Sequence, residues 1–115
     1  MPHFLLHTNN NTITSEKEGT FLKAIHDEAV ASRLFAESDI KVRIERFEKS
    51  MVGGKLDHPF IHVFGYIMQG RTTEQKAALS KSIVIKLNEM LPHVPAIAMN
   101  VSDFEATTYF NKAKL

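Results

Sequence analysis

The chain is written twice. Slid against itself by 57 positions (59 − 2), the sequence sets Pro59 on Pro2, Ile61 and Val63 on Phe4 and Leu6, Thr72 on Ser15, Gln75 on Glu18 and Leu79 on Leu22. Further along, Ile97, Met99 and Val101 fall on Ile40, Val42 and Ile44, and Phe104-Glu105 falls on Phe47-Glu48. A duplication of this length restricts the chain to folds made of two copies of one supersecondary unit. The weight lies less in single identities than in structural signals that recur in register.

Each half opens with an alternating apolar run, His3 to Thr8 and then Phe60 to Met68, the period of two that suits a half-buried strand. Each then carries a helix start, Ser15-x-x-Glu18 and Thr72-x-x-Gln75, with the spacing of a capping box. In the first helix Phe21, Ile25, Ala29 and Ser32 share one face; in the second Leu79, Ile83, Leu87 and Met90 do so. Each half closes on a second alternating run, Ile40-x-Val42-x-Ile44 and Ile97-x-Met99-x-Val101. Strand, helix, strand at this length predicts a β-α-β unit with parallel strands and a right-handed crossover.

Two such units, about residues 2–48 and 59–105, predict one α/β (α+β) domain over 1–115, with a four-stranded mixed sheet and both helices on one face. A chain of 115 residues suffices for one domain that buries about two-thirds of its unfolded surface. The linker from Lys49 to His58 carries Gly53-Gly54, a turn signal consistent with a short hairpin. The sheet face away from the helices would expose Phe47, Ala98, Phe104 and their neighbours, so self-association is expected to cover it.

Several function classes drop out. Fourteen basic and thirteen acidic residues give a net charge of +1, which supplies no field for nucleic acid or a membrane surface. With no cysteine there is no disulfide framework, thiol nucleophile or zinc finger. No run reaches the roughly 18 apolar residues of a spanning helix, and the start lacks a signal-peptide pattern. Cytosol is the default expectation.

Chemistry enters at Met1-Pro2. Loss of an initiator methionine would leave Pro2 with a free secondary amine, a base, whereas Pro59 is locked in a tertiary amide. The plainer reading is a proline at a strand start, where its missing donor does no harm. Arg71 precedes the Thr72 cap, so its guanidinium and the free N–H groups of the second helix could hold one carboxylate together. The equivalent position in the first half (71 − 57) is Thr14, so the fold itself does not require the arginine; a solvent-facing loop arginine is the bland alternative. Lys41 and Arg43, two apart on a strand, share the face opposite Ile40, Val42 and Ile44. Either could hold a second carboxylate, or both could form an exposed basic strand face, or an ion pair with Glu45.

Six histidines raise the question of a metal. His58-x-x-x-His62 has a helical zinc spacing, but on a strand four residues span about 13 Å, so no metal site is expected. His62 could help orient a substrate, but a core hydrogen bond is the better expectation. Asp103 and Glu105 share a strand face, but their counterparts Arg46 and Glu48 suggest a structural surface. The tail Thr108-Tyr109-Phe110-Asn111-Lys112 could wrap a neighbouring subunit or cover the region of Pro2.

The opening Pro2-His3-Phe4, the strand Phe60-Ile61-His62-Val63, the following Gly70-Arg71-Thr72 and the late Ser102-Asp103-Phe104-Glu105 resemble the 5-carboxymethyl-2-hydroxymuconate isomerases, a fused two-repeat branch of the tautomerase superfamily. The likeness runs nearly end to end and is most specific from Phe60 through Thr72. It implies a tautomerase-like fold, a homotrimer, no cofactor, and Pro2 as the base that moves a proton in an unsaturated dienol or 2-oxo carboxylate during aromatic acid degradation. It further implies Arg71, with Lys41 or Arg43, as the carboxylate-binding cations. Those isomerases carry an arginine directly after the isoleucine of the second strand and another two positions on; here the first place is Lys41, which keeps the charge but loses bidentate geometry. Two alternatives stay open: a tautomerase acting on another 2-oxo acid, and a trimeric binding protein with its chemistry lost.

Overall fold

The computed structural model describes all 115 residues. Eight regular elements run in the order β1 (His3–Asn9), α1 (Glu18–Ala31), β2 (Lys41–Phe47), β3 (Met51–Val52), β4 (Lys55–Leu56), β5 (Ile61–Met68), α2 (Thr73–Met90) and β6 (Ile97–Phe104). The main sheet has the order β2-β1-β5-β6. Its outer pairs are parallel, as the crossover helices require, and its central pair β1–β5 is antiparallel.

The central register explains how two copies make one sheet. Leu6 lies opposite Val63, and Val63 is also the repeat equivalent of Leu6 (6 + 57). A local two-fold axis therefore passes through this pair and exchanges the two β-α-β units. Pro2 and Pro59 consequently lie at opposite ends of the sheet.

One face of the sheet meets the helices. Phe4 and Leu6 of β1, Ile61 and Val63 of β5, Phe21, Ile25 and Ala29 of α1, and Leu79, Ile83 and Leu87 of α2 form a single buried cluster. These are the sequence-derived faces, except that Ser32 falls just past the end of α1 and Met90 is only partly buried. Each large side chain fully buried here contributes about 1.5–3 kcal/mol. Gly65 lies opposite Phe4, and a Cβ there would come 3.0 Å from Met99 Cε and 3.4 Å from the Phe4 ring. Its bareness lets the ring pack across the strand.

The two predicted helix caps differ in outcome. Thr72 and Gln75 form a complete capping box at α2. Ser15–Lys17 instead winds as a 3₁₀ turn, and α1 begins at Glu18 without a side-chain cap. Glu18 is taken by Arg46 of β2, whose Nε donates to it at 2.6 Å. The second half also ties helix to strand with reversed charge, one helix position further on, Lys76 Nζ donating to Asp103 at 3.0 Å.

The linker forms the hairpin β3–β4, with Gly53 and Gly54 both at positive φ, 56° and 82°. That conformation favours glycine. The sheet face away from the helices is more mixed than Phe47, Ala98 and Phe104 alone suggested. By strand alternation it also carries His3, His7, Lys41, Arg43, Glu45, His62, Phe64 and Tyr66. No helix is long and apolar enough to cross a membrane.

Candidate active site

Pro2 leads into β1 with its side chain almost wholly buried. Its carbonyl accepts a 3.1 Å hydrogen bond from Lys41 N, which fixes the start of β1 against β2. Met1 acylates its nitrogen, and the Met1 amine donates to Asp39 O at 3.2 Å. Asp39 Oδ2 lies 3.9 Å away. Burial pushes the pKa of this amine below its ordinary 8.0; Asp39 opposes the shift, and Lys41 and Arg71 reinforce it. The Met1 amine thus sits in surroundings that favour its uncharged form.

Arg71 reaches the same place from the turn between β5 and α2, where Gly70 takes a φ of 122°. Its guanidinium donates to Leu34 O at 2.6 Å and to Met68 O at 3.4 Å. It also lies 5.2 Å from the centre of the Phe35 ring. Two carbonyls and an aromatic face orient the group, and its other N–H donors remain for a ligand. Together Met1, Pro2, Phe35, Asp39, Met68 and Arg71 line a cavity of about 170 Å³. The capping box takes the backbone N–H groups of Thr72 and Gln75 and leaves those of Thr73 and Glu74, at the first turn of α2, out of its bonds. Larger hollows lie between α1 and α2 and beside the β3–β4 hairpin, but neither is lined by a lysine or arginine.

The two remaining cations separate. Lys41 Nζ folds back to donate to Asp39 O at 3.1 Å, which keeps its charge close enough to act on the Met1 amine. Arg43 Nη1 lies 3.1 Å from His3 Nδ1. A guanidinium only donates, so His3 Nδ1 must accept and cannot carry a proton there. Burial, then Arg43 and Lys41, hold the His3 pKa below its ordinary 6.5. Arg43 lines a groove of about 370 Å³ with His3, Leu5, Tyr66, Phe104 and Tyr109. Adjacent strand residues point to opposite faces, so this groove and the Pro2 cavity flank the chain start on its two sides.

The C-terminal segment contributes groups that sequence reasoning left undecided. Beyond β6 it returns over the chain start, so that Tyr109 Oη donates to Met1 Sδ. Asn111 Nδ2 lies 4.0 Å from the same sulfur. Tyr109 is held between Phe104, at 5.5 Å between ring centres, and the Lys114 ammonium, at 5.5 Å from its ring. The apolar-aromatic spacing of Phe104 and Tyr109 was the available signal, but nothing local says which chain they cover.

His62 is not in the core. It lies on the face away from the helices, stacked on Phe64 at 4.3 Å and hydrogen-bonded to Asn100 Oδ1 at 2.5 Å. No three His, Asp or Glu side chains converge as metal ligands.

Comparison with known proteins bears on the family and the fold. The family model for 5-carboxymethyl-2-hydroxymuconate isomerase aligns with residues 2–114. No curated protein matches the sequence significantly. Among solved structures, Pt0534 inactivated by 2-oxo-3-pentynoate superposes with a TM-score of 0.86 at 17% identity, over 96% of this chain and 91% of that one. The wild-type symmetric trimer of the fused 4-OT Q0 gives 0.81 at 19% identity, over 96% and 91%. N1, a member of the cis-3-chloroacrylic acid dehalogenase family, gives 0.82 at 14% identity, over 98% and 82%. These likenesses establish the fold, two β-α-β units in one mixed sheet. With all but the first and last residues matched by one family model, the chain belongs to the 5-carboxymethyl-2-hydroxymuconate isomerase family.

Proposed function

We propose that this chain, once Met1 is removed, is a cytosolic, cofactor-independent isomerase in which the Pro2 amine moves a proton within an unsaturated dienol or 2-oxo carboxylate. The preferred substrate is 5-carboxymethyl-2-hydroxymuconate, in the breakdown of aromatic acids after ring cleavage. The observation that carries the reading is the shared cavity of Pro2 and Arg71, at an end of the sheet where burial and two cations favour a neutral amine.

Removal of Met1 transfers the free amine to Pro2 and widens the cavity by the volume of a methionine. A base works best when its pKa lies near ambient pH and it sits within hydrogen-bonding reach of the proton. A secondary amine is intrinsically more basic than the ordinary α-amino group, and burial with Lys41 and Arg71 offsets that excess. Arg71 holds one substrate carboxylate with the donors its carbonyl partners leave free. Lys41 or Arg43 holds another and stabilises the dienolate charge as it develops. The step balances: a proton leaves the enol oxygen or a carbon as an N–H bond forms on Pro2, and that N–H breaks as a new C–H forms on a different carbon.

A homotrimer fits this reading. The fused 4-OT relatives of this fold include symmetric and asymmetric trimers, and the mixed face of the sheet offers Phe47, Phe64, Tyr66 and Phe104 beside cations. Lys41, in the place of an arginine, favours a second reading in which the substrate is a different 2-oxo acid. A third reading is a trimeric binding protein of the same fold without chemistry.

Intact mass spectrometry of the natively processed protein, paired with turnover of a dienol carboxylate, tests the assignment. We expect a mass lacking methionine, turnover in that form, and slower turnover for Pro2→Ala, which leaves a weaker primary amine. Full activity in protein whose Met1 is retained would reject Pro2 as the base. Relative kcat/KM for 5-carboxymethyl-2-hydroxymuconate and a simple 2-hydroxydienoate separates the first two readings.

A further inference from the structure

Met1 bridges two groups of donors. Its amine end lies in the Arg71 cavity, while its sulfur end is met by Tyr109 Oη and approached by Asn111 Nδ2. These two side chains also touch one another, at 3.5 Å. Asn111 Oδ1 is buried and has no hydrogen-bond partner. A buried amide oxygen left unpaired costs about 1–3 kcal/mol, so its persistence calls for an explanation such as a ligand.

Resting on the reading that Met1 is removed, we propose that Tyr109 and Asn111 bind a second oxygen function of the substrate, at the end remote from the carboxylate held by Arg71. When methionine leaves, the Tyr109 hydroxyl and the Asn111 amide N–H lose their sulfur partner and face the vacated space. Both then offer donors to an anionic or carbonyl oxygen, and Asn111 Oδ1 offers an acceptor to a hydroxyl. Lys114 above the Tyr109 ring adds positive charge at the same end. The class of ligand so recognised is an elongated acid with oxygen functions at both ends, in preference to a monocarboxylate with an apolar tail. Tyr109 and Asn111 act here as specificity-determining residues and take no part in the proton transfer.

The test is calorimetric titration of the Met1-free protein, produced with methionine aminopeptidase where needed. The probes are a saturated dicarboxylate and the chain-matched monocarboxylate, applied to the parent, Tyr109→Phe and Asn111→Ala. Tyr109→Phe keeps the ring on Phe104 and removes only the hydroxyl. For each variant the dicarboxylate Kd should rise about tenfold, the worth of one hydrogen bond to a charged group, with the monocarboxylate Kd unmoved. Unchanged dicarboxylate binding, or equal losses for both probes, would overturn the proposal. Because neither probe reacts, the outcome does not depend on Pro2. A parent that binds the dicarboxylate selectively but turns over no dienol would refute the base and leave this inference standing.

Discussion

The two ends of the sheet are built from one pattern and finished differently. At the Pro59 end the loop after β1 closes over the incoming strand. Asn9 Nδ2 donates to His58 O at 2.8 Å, Asn11 Nδ2 to Asp57 O at 2.7 Å, and Phe60 N donates to Thr12 Oγ1 at 3.0 Å. The local two-fold axis carries Asn9, Asn11 and Thr12 onto Tyr66, Met68 and Gln69, none of which repeats those bonds at the Pro2 end. There the C-terminal segment reaches the Met1 side chain instead, and Arg71 stands where the sealed end has Thr14, a residue with no side-chain cap bond. Duplication preserved what the scaffold needs and tolerated substitution within it, as the reversed Arg46–Glu18 and Lys76–Asp103 ties show. A hollow lies at each end, but only the one beside Pro2 is lined by an arginine.

The comparison can be broken most severely at the two prolines. A residue retained ahead of Pro2 should lower turnover by about 10²–10⁴-fold, the usual contribution of a positioned base, whereas Pro59→Ala should leave kcat unchanged. Equal losses would place the chemistry elsewhere. Next in size, Arg71→Ala should raise KM about 10–100-fold by removing a charge-assisted contact; Thr14→Ala, at the equivalent position, should leave KM alone.

Sealing should register in stability and not in rate. Asn9 is 2% exposed, so Asn9→Ala should lower the unfolding free energy by about 1–3 kcal/mol in urea melts, by stranding the His58 carbonyl. Loss of kcat without loss of stability would contradict a purely structural seal. Smallest of the effects, Thr72→Ala should cost about 1 kcal/mol and Ser15→Ala less than about 0.5 kcal/mol, because one capping box exists and the other does not. Matching costs at the two positions would mean the halves are capped alike in solution.

The architecture was legible because periodicity, caps and turns are local and were written in duplicate. The local two-fold axis follows from the 57-residue offset once the β1–β5 register is known. What escaped was every feature decided between distant segments. Ser15-x-x-Glu18 reads as a capping box, but Glu18 finds Arg46, 28 residues away, and a charged partner outweighs a backbone N–H. Thr72-x-x-Gln75 has the same local signal and no competing cation, so the box forms. His62 sits in a strong strand pattern, yet alternation alone does not say which face the helices will cover. At the site, Pro2 and Arg71 were identifiable as residue types in a telling order. Their shared cavity, and the arrival of Tyr109 and Asn111 from the far end of the chain, depend on tertiary paths that no local pattern encodes.

The most direct test of a neutral proline base is the titration of the Pro2 nitrogen itself, followed by ¹⁵N resonance in the processed protein. The account predicts one transition below about 8, the ordinary α-amino value, with kcat/KM rising as pH climbs through the same midpoint because the uncharged amine is the active form. A midpoint well above that value, or a nitrogen that does not titrate, would contradict it.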